Sequence, residues 1–312
     1  MMQQSIRLGP VTVWPGQSAG KYPDGNQVIV RGRDSIAVFD TPLVSRTLPA
    51  ESGFASADLI ILGHVHEDHM AGLGALRHVP LHVHRGDLEA ARSWDGLATH
   101  YGYSRAILDP LHEKIVREFH YTPRPDALGY DDGAVWDLGG VQVRAVHMPG
   151  HTSGHCVLLV EPHGIAFIGD IDLSGFGPYY GDATSSLEAF RVTLARIADL
   201  PASCWITSHH KGVIRERAEF LQLLGAFADR LKVREARLLS LLDTGPQTLA
   251  QLAQSRVVYR PDAAELWIDA AEERSIGQHL DELIQSGRVR QDGDRFMLNP
   301  SGHLDSQRPS PG

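Results

Sequence analysis

The chain has 312 residues, a formal net charge of −9 and only two cysteines. No stretch approaches the roughly 20 apolar residues of a membrane helix, the N-terminus lacks a basic start followed by an apolar run, and two cysteines are too few for a disulfide framework. The expectation is a soluble cytoplasmic protein with no membrane association. Its acidic balance argues against loose electrostatic binding to nucleic acid.

In chain order, "VTVWP", "NQVIVRG" and "SIAVFD" read as short strands separated by Gly and Asp turns. "ADLIILGH" is an aliphatic run typical of a strand buried on both faces, followed by a short helix over "MAGLGALRHV" and a strand over "LHVHRG". Residues 86–130 are irregular with helical pieces and read as an insertion over one rim. Strands resume with "AVWDLGGVQVRAVHMPG" and the hairpin "HCVLLVEPHGIAFIGD". Helical period returns in "SSLEAFRVTLARIADLP", with Ser as N-cap. "SCWITSHH" is a further strand, and "RERAEFLQLLGAFADRLKVREARLLSLL" is one long amphipathic helix or two. Cys156 and Cys204 lie within apolar strand patterns, as small buried residues do.

The texture changes near residue 232. A helix, a Gly-Pro break, a helix opened by Thr248, a third helix and two strands around Asp292-Gly293-Asp294 follow the order of a winged-helix module. A helical cap on the main domain is the alternative. The predicted organisation is therefore a domain over 1–231, a winged-helix-like domain over 232–300 and a flexible tail over 301–312. Ile276, Leu280, Leu283 and Ile284 form one apolar stripe of the third helix, expected to bury against the main domain or a second chain.

The 17 histidines are an excess that needs a reason. In "ILGHVHEDHMAG", His64 and His66 stand two apart at the mouth of a strand, which puts both rings on one side. Asp68 and His69 follow at the turn, so one loop holds four ligands suited to a borderline divalent ion. Later strand ends add His151 in "MPGHTSGH", Asp170 in "FIGD", and His209 or His210 in "WITSHH". His209 fits better when counted from the strand. Seven such ligands suffice for two ions, each with a position left open for chemistry.

Together "HVHEDHMAG", "MPGHTSGH", "FIGD" and "TSHH" resemble the sequential metal motifs of the metallo-β-lactamase superfamily, over roughly residues 8–215. The resemblance implies a four-layered αβ/βα sandwich with a small C-terminal domain. It implies two divalent ions, most simply zinc, with iron or manganese as alternatives. His64, His66 and His151 match the ligands of the first ion, Asp68, His69 and His209 those of the second, and Asp170 the bridging carboxylate. Asp40 in "AVFDTP" matches a carboxylate that braces a ligand, although Pro42 stands where a glycine is usual; His155 and His210 are further bracing candidates. Asp170 at the bridge argues against β-lactam hydrolysis and toward the glyoxalase II, lactonase and phosphodiesterase branches.

The implied activity is hydrolysis of a small ester, thioester or lactone by a hydroxide bridging two ions. Asp68 would carry the proton to the leaving group, and Tyr179 or Tyr180 would donate to the developing oxyanion. A phosphodiesterase or endoribonuclease is the alternative. A mononuclear iron persulfide dioxygenase is a third reading, disfavoured by His209. The C-terminal part resembles the winged-helix domain attached to one group of these hydrolases. Residues 232–312 hold 10 Lys+Arg against 12 Asp+Glu, so no basic stripe marks a nucleic-acid face, and the partners expected are a small-molecule substrate and at most a second copy of the chain.

Overall fold

The structure, a computed structural model, describes residues 4–300. The tail expected over 301–312 lies outside them. Among the described residues no helix is long and apolar enough to cross a membrane. The chain divides into two compact units, meeting at Ala228 and Asp229.

The first unit is built on two sheets. One has seven strands in sequential order: β1 (Ile6–Leu8), β2 (Val11–Trp14), β3 (Gln27–Arg31), β4 (Ile36–Phe39), β5 (Leu59–Ile61), β6 (Leu81–His84) and β7 (Leu128–Tyr130). The first four pair antiparallel, and β4 to β7 pair parallel. The other sheet runs β13-β12-β11-β10-β9-β8, where β8 is Val135–Asp137, β9 Gln142–His147, β10 Cys156–Glu161, β11 Ile165–Phe167, β12 Cys204–Ile206 and β13 Val213–Ile214.

Period-2 alternation decides which side chains the sheets share. Val28 and Val30 of β3, and Cys156, Leu158 and Val160 of β10, belong to one buried cluster that spans both sheets. Phe39 and Phe167 meet within it, ring centroids 5.8 Å apart. Dense apolar packing there fixes the strand ends, and the site hangs from those ends. Both cysteines are free, and burial pushes the Cys156 thiol up to about 12, so it behaves as a small apolar residue.

Helices Leu88–Arg92, Trp94–Tyr101 and Arg105–Glu118 occupy the insertion expected over 86–130. Ser186 caps helix Leu187–Arg196 by accepting from the Ala189 N–H at 3.2 Å. The helix expected from "MAGLGALRHV" reduces to a 3-10 turn over Leu73–Leu76. Gly72 and Gly74 interrupt that segment, and glycine costs about 1 kcal/mol in a helix relative to alanine.

The long segment after residue 216 is a single helix, Arg217–Asp243. In the second unit Thr248 and Gln251 form a capping box at helix Leu249–Gln254. Helix Ile268–Gln285 and a three-stranded sheet follow, its strands ordered β14 (Gln247–Thr248), β16 (Arg295–Leu298), β15 (Val289–Asp292). Ile276, Leu280 and Leu283 pack with Leu238, Leu242, Leu252 and Val289 of the same unit. The apolar stripe thus needs neither the main domain nor a second chain to bury it. The sequence reading overlooked that the first helix carries its own apolar face toward it.

Candidate metal centre

Four strand ends deliver the ligand set. The loop after β5 carries His64, His66, Asp68 and His69; the turn after β9 carries His151; Asp170 follows β11, and His209 follows β12. Glycine is required at two of these turns. Gly169 has φ +56°, and a Cβ there would stand 2.6 Å from His155 Nε2; Gly150 has φ +132°, with Phe190 Cα 2.4 Å from where a Cβ would be.

The side chains converge in two groups that share one carboxylate. His151 Nε2 lies 3.2 Å from His64 Nε2 and 3.0 Å from His66 Nδ1. Asp170 Oδ2 is 3.5 Å from His151 Nε2 and 3.9 Å from His64 Nε2. Its other oxygen, Oδ1, is 3.2 Å from His69 Nε2 and 3.5 Å from His209 Nε2. Asp68 Oδ2 completes the second group, 3.1 Å from His209 Nε2 and 3.7 Å from His69 Nε2. Bonds of about 2.0–2.1 Å to a tetrahedral ion give ligand–ligand edges of roughly 3.3 Å. The spacings of both groups suit an ion at each.

Hydrogen bonds outside the cluster fix which ring nitrogens face inward. His66 Nε2 donates to Asp182 Oδ2 at 2.8 Å, and His151 Nδ1 donates to the Tyr179 carbonyl at 3.1 Å. His69 Nδ1 donates to Asp40 Oδ2 at 2.8 Å. His209 Nδ1 donates to the carbonyls of Gly20 at 3.0 Å and Asp24 at 2.8 Å. Four rings therefore turn their other nitrogen inward, toward one another or toward the carboxylates of Asp68 and Asp170. His69 Nε2 and Asp170 Oδ1 are buried with no hydrogen-bond partner, as expected of atoms kept for a metal.

Electrostatics divides the rings. Burial, joined by the neighbouring histidines, holds His64 well below its ordinary value and His151 at about 3, whereas for His66 burial is outweighed by Asp182, which raises it to about 9. In the second group burial also opposes charge on the rings, but Asp68 and Asp170 outweigh it: His69 is raised well above its ordinary value and His209 to about 10. For Asp170, burial favours the neutral acid, yet His209, His69 and His64 hold it well below the usual carboxylate range. Divalent cations would take over the place of these protons.

The bracing residues read from the sequence divide as follows. Asp40 sits at φ 52°, a conformation that costs a non-glycine residue about 1 kcal/mol or more but is tolerated by Asp; its carboxylate accepts from His69 and from the Gly63 N–H at 2.8 Å. His155 donates to the Met148 carbonyl at 3.0 Å and accepts the Asp170 N–H at 3.2 Å, so it orients the shared carboxylate through its backbone. His210 points elsewhere. Its φ of 55° turns the chain, and its ring lies 3.6 Å from Asp172; His209 is the residue grouped with Asp68 and His69. The Tyr179 hydroxyl donates to Asp182 Oδ1 at 3.0 Å, and Tyr180 is only 1% exposed.

Three carboxylates escaped the sequence reading. Asp182 holds His66. Asp87, 1% exposed, accepts from Val65 N at 3.1 Å, Thr152 Oγ1 at 2.6 Å and Gly154 N at 2.7 Å, tying the loop of His64 to that of His151. The Asp24 carboxylate accepts from the N–H groups of Gln17 at 2.7 Å and Val44 at 2.7 Å, which shapes the loop whose carbonyls hold His209. Asp182 and Asp87 act at long sequence separation, and Asp24 binds nearer neighbours; none of the three carries a local motif.

A family model described as the metallo-beta-lactamase superfamily matches residues 24–209. The chain belongs to that superfamily. The acyl-coenzyme A thioesterase MBLAC2 of Homo sapiens is 32% identical over 173 residues, covering 49% of this chain and 61% of that protein; the match thus spans less than two thirds of that relative. An atrochrysone carboxyl ACP thioesterase of Pseudocercospora fijiensis (strain CIRAD86) is 26% identical over 301 residues, covering 88% of this chain and 74% of that one. Among solved structures, a metallo-beta-lactamase family protein from Thermus thermophilus superposes with a TM-score of 0.69 at 23% identity, covering 93% of this chain and 99% of that one. The sandwich is accordingly the fold of the superfamily.

Proposed function

We propose that this protein is a dinuclear metal-dependent hydrolase of acyl compounds, with thioesters as the first substrate class and esters or lactones next. The observation that carries the reading is Asp170, one oxygen facing His64 and His151 and the other facing His69 and His209. Similarity to two thioesterases supports the choice of substrate. Zinc suits the mixed nitrogen and oxygen donors. When bound, two divalent ions would polarise an acyl carbonyl and acidify water.

The chain's own part is to orient and to move protons. With an ion bound, His64, His66 and His151 would each present an unprotonated nitrogen, so the first group would add no anionic charge of its own. Asp68, buried beside His209, is the group to take a proton from the attacking water and pass it to the leaving sulfur or oxygen. The second unit we read as winged-helix-like, in keeping with its order of helix, strand, two helices and hairpin. A panel of acyl-CoA thioesters, lactones and bis-p-nitrophenyl phosphate, run before and after metal removal, tests the proposal. Turnover of thioesters that is lost with the metal is expected. Cleavage of the phosphodiester alone would overturn it.

A further inference from the structure

His66 and His151 of the first group are held from outside by one short segment, residues 179–185. The Tyr179 carbonyl accepts from His151 Nδ1. Ser185 Oγ donates to the His151 carbonyl at 2.6 Å and accepts the Asp182 N–H at 3.2 Å. Asp182 itself is 1% exposed, and its Oδ2 takes the His66 Nε2 proton at 2.8 Å. Its other oxygen accepts two phenols, Tyr179 at 3.0 Å and Tyr103 at 2.6 Å. Tyr103 comes from the rim insertion, so a residue remote in sequence completes the network.

We propose that Asp182 is a positioning residue that sets the metal affinity of the His64, His66 and His151 group. The inference rests on the metal-centre reading but not on any substrate. An imidazole has two tautomers, and only the one with its proton on Nε2 leaves His66 Nδ1 able to bind a cation. The Asp182 carboxylate selects that tautomer, turns the ring and raises the basicity of Nδ1. The two phenols keep the carboxylate from rotating away. They also satisfy Oδ1, so that Oδ2 alone meets the histidine. His151 lacks such a partner and leans on a neutral carbonyl. Within the group, the carboxylate-backed His66 is therefore the anchor.

The test is competition for zinc against a chromophoric chelator, with wild type, Asp182→Asn, Asp182→Ala and Tyr103→Phe. Asn keeps the shape, but its amide can turn an N–H toward His66 and so favour the wrong tautomer. Both Asp182 variants should weaken one bound ion by about 10–100-fold and leave the other within a few fold. Tyr103→Phe should weaken the same ion by less. Proton–nitrogen spectra of the zinc-loaded protein supply a readout that packing loss alone would not move: the far-downfield His66 Nε2–H resonance of the wild type should shift upfield in Asp182→Asn. Unchanged zinc affinity in both Asp182 variants, or equal weakening of both ions with the His66 resonance in place, would overturn the proposal. Should Asp182→Ala fail to fold, Asp182→Asn and Tyr103→Phe still decide. Because no substrate enters, a negative thioester assay would leave this inference standing, and a wild type holding one ion would defeat only the dinuclear reading.

Discussion

The two groups of candidate metal ligands are built from different chemistry. The first offers three imidazoles; burial keeps His64 and His151 neutral, while against the same burial Asp182 raises His66 to about 9. The second offers two imidazoles and Asp68, and its carboxylates draw protons onto His69 and His209. Without metal, the first half joins two neutral rings, His64 and His151, to a His66 paired with Asp182, and the second is an assembly of ion pairs. The bracing differs as well. Asp182 and a peptide carbonyl hold the first half; Asp40 and two carbonyls of the loop near Gly20 hold the second. The lesson is that the two groups share one loop, residues 64–69, and the carboxylate of Asp170, yet each is braced by partners of its own.

Cutting the link between the halves should have the largest effect. Asp170→Ala removes the one group common to both, leaving two cations without a shared anion; turnover should fall by about 10³-fold, equivalent to several kcal/mol of transition-state stabilisation. Its folded state should persist by circular dichroism, because the strand ends are set by the apolar core between the sheets. Retention of wild-type turnover would show that the halves do not depend on Asp170.

Weakening one scaffold should act on one half. Asp40→Asn is expected to lower affinity for the second ion by about 10–100-fold while sparing the first. Chelator competition measures this directly, and loss of both ions together would break the claim that each group is braced by partners of its own.

The smallest effect is expected at His210. Its ring is paired with Asp172 and not with the ligands, so His210→Ala should keep two ions and change turnover by no more than about 3-fold, a typical surface substitution. His209→Ala should instead lose the second ion. The reverse pattern would exchange the two residues.

Much of the centre was legible in the sequence because its ligands sit at strand ends, where apolar runs give way to His and Asp. His64, His66, Asp68 and His69 share one loop, and the remaining three each follow an aliphatic strand. Asp40 was legible only through the family resemblance carried by "AVFDTP". Asp182 was not, since its partner His66 lies 116 residues away and the contact exists only in three dimensions. The same holds for Asp87, which bonds to two loops brought together by sheet packing. The stripe on helix Ile268–Gln285 was read correctly as buried, but its cover was assigned to the wrong surface. An amphipathic pattern states that a face is buried, and it does not name the element that buries it.

The most direct test of the account is a crystal structure of the zinc-loaded protein with anomalous data collected on both sides of the zinc edge. Two anomalous peaks are predicted, one among His64, His66 and His151 and one among Asp68, His69 and His209, with an Asp170 oxygen directed at each. A single peak confined to the three histidines after full reconstitution, with Asp170 turned away from it, would contradict the account.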